Sequence, residues 1–137
     1  YTVPVTPTND FNLNTIQTVI SGIDNTNQVF PVEVVVYEYT AINKFSFVAT
    51  VNAYIAQPKN GLVNNMELTN TVVLEKGKTY YIGIQSIGND IYIAANNTNS
   101  YSVGGIRKTT RFFQNASGNG YFEFRYERYL PYYVFSE

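Results

Sequence analysis

The stretch Phe45-Ser46-Phe47-Val48-Ala49-Thr50-Val51-Asn52-Ala53-Tyr54-Ile55 has an apolar residue at every odd position. Ser46, Thr50 and Asn52 sit between them, with Val48 and Tyr54 as exceptions. Side chains alternate faces along a strand, so this period of two predicts a long strand with its odd residues on a core. A second stretch repeats the pattern with charge. Phe122, Phe124 and Tyr126 point one way, and Glu123, Arg125 and Glu127 the other. A slip of one residue would bury three charges, which fixes the register.

Working outward, the same reading predicts strands over 13–20, 32–39, 68–74, 79–85, 91–95, 109–114 and 131–136. Val32 to Tyr39 is apolar almost throughout and is expected to be central. Thr2 to Thr6 is extended but carries Pro4, which cannot donate to a ladder and points to an edge strand or an arm. Asn60-Gly61, Lys76-Gly77 and Asn119-Gly120 are turn dipeptides. Ser117-Gly118-Asn119-Gly120, between Phe112-Phe113 and Tyr121-Phe122, predicts a hairpin. No segment has a helical period, and one turn near Asn96 to Ser100 is the most helix expected. The expected fold is therefore all-β, with two packed antiparallel sheets of jelly-roll or related Greek-key type. An extended N-terminal arm over residues 1–10 would precede one β-sandwich domain over 11–137. An immunoglobulin-like sandwich has less support, since the chain has neither Cys nor Trp.

Composition excludes several functions. The 137 residues hold nine basic and ten acidic side chains, for a net charge of −1. Such a chain has no nucleic-acid footprint. No apolar run approaches the ~20 residues of a spanning helix, so membrane insertion is not expected. Without Cys there are no disulfides and no thiolate metal sites, and without His the commonest general base and zinc ligand are missing. Beginning at Tyr1 rather than Met, the sequence reads as a processed product or a piece of a longer chain. The 13 Tyr and 9 Phe, with charge at only 14%, describe a surface of aromatic, Asn and Thr side chains.

Leu74-Glu75-Lys76-Gly77-Lys78-Thr79-Tyr80-Tyr81-Ile82-Gly83-Ile84 resembles a stretch found in jelly-roll-like β-sandwich modules of secreted adhesive proteins and phage tail or fibre proteins. Val34-Val35-Val36-Tyr37-Glu38-Tyr39 resembles the strand that often precedes it. The match covers about a tenth of the chain, and its residues are structural. The resemblance implies the fold and an adhesive or fibre setting, and it carries no ligand residues.

Candidate chemistry is sparse. Glu123 and Glu127 lie roughly 13 Å apart along a strand, beyond the about 5–9.5 Å of a glycosidase pair. A pair drawn from loops, such as Asp24 with Asp90, is the remaining acid–base arrangement. A Ser or Thr nucleophile would lack its base. Asp24-Asn25-Thr26-Asn27 begins like a calcium loop but has Val29 and Val35 where the pattern needs Gly and Glu, so an Asx-type turn competes with a calcium site. No other cofactor is implied. Arg107, Lys108, Arg111, Arg125 and Arg128 cluster in sequence. Arg111 and Arg125 are candidates for an acidic glycan if their strands pair, against the alternative of cross-strand pairing with Glu123 and Glu127. Tyr121 and Tyr129, opposite the apolar face, are candidates for stacking on sugars or anchoring a protein contact. Asn96-Asn97-Thr98 and Asn115-Ala116-Ser117 are glycosylation triplets of use only in a secretory setting. Val3 and Val5, in the arm, would add a strand to the chain's own sheet or to that of a second copy.

These features predict a non-enzymatic module on an extracellular or virion surface. Its expected partner is a cell-surface glycan or protein receptor. The alternative is a structural subunit of a capsid, decoration layer or filament, joined to copies of itself through the N-terminal arm.

Overall fold

The computed structural model describes residues 2–41, 44–87, 91–93, 95–96, 109–114, 120–125, 130–131 and 133–137, and from Ile93 to Pro131 their backbone positions alone. Every regular element among them is a strand. No helix among the described residues is long and apolar enough to cross a membrane.

The strands are β1 (Thr2–Val5), β2 (Phe11–Ser21), β3 (Phe30–Ala41), β4 (Lys44–Ile55), β5 (Leu62–Leu74) and β6 (Thr79–Ser86). They continue as β7 (Tyr92–Ile93), β8 (Ala95–Asn96), β9 (Thr109–Gln114), β10 (Gly120–Arg125), β11 (Leu130–Pro131) and β12 (Val134–Ser136). One antiparallel sheet runs in the order β10-β9-β1-β6-β3-β4-β5-β2-β12, with β7 also on β2 and a separate β8–β11 pair. Two facing sheets are expected from the sequence; the described strands instead form one continuous sheet that curls into a half-barrel. The reason lies in the connections. β3 and β4 pair along almost their whole length, and β4 joins β5 through the pairs Ala53–Leu68 and Tyr54–Glu67, so the sheet stays continuous as it wraps its own apolar face.

That inner face is a single core. Val3 and Val5 of β1, Tyr80 and Ile82 of β6, Val32, Val34 and Val36 of β3, Ala53 and Ile55 of β4, Met66 and Leu74 of β5, and Leu13 and Ile16 of β2 all pack into it. β3 lies between β4 and β6, as its apolar run predicts. β1 is an inner strand of the chain's own sheet. Val3 and Val5 are fully buried, so contact with a second copy would require β1 to leave β6. Pro4 is tolerated there because β9 meets β1 at Thr2 alone among the described residues.

Two irregularities decide which residues face out. Between Val36 and Tyr37, β3 advances one residue while β4 advances two, from Ala49 to Phe47. Val48 is the extra residue of a bulge, which reverses the facing of everything beyond it. Phe45 and Phe47, expected on the core, therefore lie on the outer face. There Tyr37 meets Phe47 edge-on at 5.7 Å, Tyr39 meets Phe45 at 5.6 Å, and Phe45 meets Tyr81 at 5.1 Å. In β2, a shift between Leu13 and Thr15 moves the buried positions from Leu13 to Ile16, Thr18 and Ile20. This shift is why the sequence alternates only weakly there.

The resembling motif has a clear structural reading. Gly77 has φ 78°, a left-handed turn position that glycine fills without strain. Its N–H donates to Pro7 O, and Lys76 N–H donates to Asp10 Oδ1 at 2.9 Å, so residues 7–10 clasp the turn. Tyr80 puts its ring in the core while its hydroxyl accepts from Glu75 N–H at 2.8 Å.

Candidate functional site

Beyond the aromatic end, the outer face of β4, β5 and β2 carries amides, hydroxyls and the Glu67 carboxylate, with Val63 and Val73 exposed among them. Ala53, Met66 and Ile16 turn inward, so their neighbours Tyr54, Asn65, Glu67 and Gln17 turn outward. Glu67 is the hinge of this face, opposite Tyr54 on β4 and Thr15 on β2. The Tyr54 hydroxyl donates to Glu67 Oε2 at 2.7 Å. Gln17 Nε2 donates to Asn65 Oδ1 at 3.1 Å, and Thr69 Oγ1 donates to the Asn52 carbonyl at 2.9 Å. The Glu67 carboxylate holds the Tyr54 phenol above its ordinary range, first through this hydrogen bond and then through its charge.

A cleft of about 220 Å³ opens here, lined by Gln57, Lys59, Val63, Asn65 and Glu67 among others. That is small beside the roughly 300–1,000 Å³ of drug-sized sites. Its rim is the β4–β5 connection, and two asparagines fix it. Asn64, 3% exposed, accepts from Lys59 N–H and donates to the carbonyls of Lys59 and Leu62. Asn60 accepts from Ile23 N–H at 2.8 Å and donates to Ile23 O at 2.6 Å. Gly61, at φ 71°, donates to Ile20 O. The cleft therefore stands on ladder hydrogen bonds, the buried amide of Asn64 and the backbone-bonded amide of Asn60.

Four other described carboxylates serve the scaffold. Asp10 caps Lys76, Glu33 accepts from Gln85 Nε2 at 2.6 Å, and Lys78 lies 2.6 Å from Glu75 and 3.7 Å from Glu38. These two acids raise the Lys78 pKa, the Glu75 hydrogen bond most. Asn25 Oδ1 accepts from Asn27 N–H at 2.9 Å, which makes the 24–27 segment an Asx turn.

The residues singled out from sequence fall elsewhere. β9 and β10 pair as the predicted hairpin. Its register sets Arg111 opposite Glu123, Arg125 opposite Thr109 and Tyr121 opposite Phe113. Arg111 thus has an acidic residue across the ladder, with Arg125 on the diagonal. Tyr126, Tyr129, Glu127, Asp90, Arg107, Lys108, Arg128 and the triplet at 115–117 lie outside the described residues. Sequence reasoning misses Tyr54 and Glu67, although Tyr54 breaks the alternation as an aromatic among Ser, Thr and Asn positions.

The chain matches no protein-family model, no curated protein and no solved structure.

Proposed function

We propose that the chain is a non-enzymatic recognition module that takes a neutral glycan at the β4–β5 cleft, on the surface of a secreted adhesin or a phage fibre. The observation that carries this reading is Glu67, a carboxylate steered by Tyr54 and flanked in the cleft by Asn65, Gln57 and Lys59. An ionised carboxylate accepts several hydrogen bonds, and amides both donate and accept. Adjacent sugar hydroxyls offer the matching set, and a site this small suits one sugar ring. The cleft rests on strands and on the hydrogen-bonded amides of Asn60 and Asn64, so little ordering is needed on binding. The adhesive setting and the kinship with jelly-roll-like modules rest on the resemblance of residues 74–84.

A glycan panel followed by titration calorimetry tests the reading. The expected result is a neutral-sugar hit that Glu67→Ala and Asn65→Ala abolish while the unfolding midpoint holds. A hit indifferent to both substitutions, or no hit at all, refutes the cleft as the site.

One observation favours a second reading, assembly with copies of itself. Phe47 is 62% exposed and lies beside Val48 on the outer face. Contiguous exposed apolar surface marks contact sites. Light scattering that shows a multimer, lost in Phe47→Ser, would support assembly through this end; a monomer would end it.

A further inference from the structure

Asn60-Gly61 is the dipeptide whose side-chain amide is most open to attack by the following backbone nitrogen, because glycine offers no steric hindrance. In that reaction Gly61 N attacks Asn60 Cγ, the C–N bond to Nδ2 breaks and ammonia leaves. Water then opens the resulting succinimide to Asp or isoAsp. No oxidant or reductant is needed.

In the folded chain both reacting groups are engaged. Asn60 Nδ2 and Oδ1 close a two-bond ring on the Ile23 backbone, at 2.6 and 2.8 Å. The nucleophile, Gly61 N, has its hydrogen on Ile20 O at 3.0 Å. Attack would break all three bonds. We propose that Asn60 is a conditional deamidation site, closed while the β4–β5 connection is clasped to β2 and open once that clasp is released. Conversion is not neutral. A carboxylate at position 60 has no donor for Ile23 O and sets a negative charge against that carbonyl. The connection that bears Gln57 and Lys59 would then not reclose fully, so modification records time spent open and releases the cleft rim irreversibly.

Peptide mapping by mass spectrometry tests this on the full chain at mildly alkaline pH. One sample is native and the other is held in guanidinium, and both are followed at Asn60. Because opening must precede attack, the native rate is expected to be at least about tenfold slower. Asn60→Asp, the product made directly, is expected to unfold at lower denaturant. Equal rates in the native and unfolded chains would overturn the proposal. So would an Asn60→Asp chain with the wild-type midpoint, since release of the rim would then have no consequence.

Discussion

Asn64→Ala is the sharpest probe of how the cleft is held. Asn64 is 3% exposed and makes three hydrogen bonds of 2.8, 2.8 and 2.9 Å to the backbone of Lys59 and Leu62. Each such bond contributes about 1 kcal/mol net, for a sum of roughly 3 kcal/mol. The partners are in a part-buried loop that water can reach after truncation, which reduces the loss to about 2–3 kcal/mol. With a urea slope of about 1–3 kcal/mol/M, the midpoint should fall by about 0.7–3 M. Equilibrium urea unfolding followed by tyrosine fluorescence reads this directly, and the slope should not change. Asn65→Ala is the control, since Asn65 is exposed and shares one side-chain bond with Gln17. It should cost within ~0.5 kcal/mol. Asn64→Asp separates hydrogen bonding from volume. It keeps the acceptor for Lys59 N–H but sets a carboxylate against two carbonyls, so at neutral pH it should be at least as damaging as the alanine. Protonating the introduced carboxyl restores one donor, so the damage should shrink on acidification. If Asn64→Ala and Asn65→Ala shift the midpoint equally, the buried amide does not hold the rim.

Deleting residues 1–5 removes Val3 and Val5, about 1.5–3 kcal/mol each, and bares β6; circular dichroism should show loss of the fold, and a native-like spectrum would mean that β1 is dispensable. Gly77→Ala places a side chain at φ 78° and should cost about 1–2 kcal/mol by thermal melting, although the space around it is open. Glu67→Gln should bring the Tyr54 phenol back down toward its ordinary range, seen as tyrosinate absorbance at lower pH than in the wild type. Because the folded Tyr54 pKa lies above the unfolded value of 10.0, its stabilisation is complete below that value and is lost as pH rises through the folded one. Met66→Ala, at a fully buried position, should cost about 2–5 kcal/mol in the same denaturation assay.

Strand identity was legible in this chain because it is a local property. Val32 to Tyr39, the turn at Lys76-Gly77 and the pairing of β9 with β10 could each be read from their own residues. The clasp on the β5–β6 turn could not, because Asp10 lies 66 residues before its partner Lys76, Pro7 is farther still from Gly77, and nothing in their type announces the partner. Facing was read correctly only as far as the first irregularity. Phe45 and Phe47 keep the odd-position rhythm of Ala49 to Ile55, and Val48, apolar at an even position as Tyr54 is, breaks the alternation without marking that the facing reverses there. A bulge is settled by both strands together: β3 carries Tyr37 and Tyr39 immediately after Val36, and β4 must insert one residue to meet them.

The same reasoning explains why a candidate site emerged where the composition drew no attention. A curled sheet has one inner face to fill with apolar side chains, and among the described residues its core takes Tyr80, Tyr133 and Phe135, with Phe11 and Phe30 packed against it. The bulge at Val48 sends Phe45 and Phe47 outward, where Tyr37, Tyr39 and Tyr81 meet them across the ladder. Toward the other end of β4 the alternation is unbroken, so Asn52 and Tyr54 stay on the outer face beside Asn65 and Glu67. One inserted residue thus divides a single strand surface into an apolar half and a hydrogen-bonding half. Deleting Val48 should restore simple alternation, turn Phe45 and Phe47 toward an already filled core, and destabilise the chain far more than Val48→Ala, whose side chain is 37% exposed. If the deletion and the alanine substitution give equal midpoints, the bulge does not set the facing, and the division of the outer surface needs another cause.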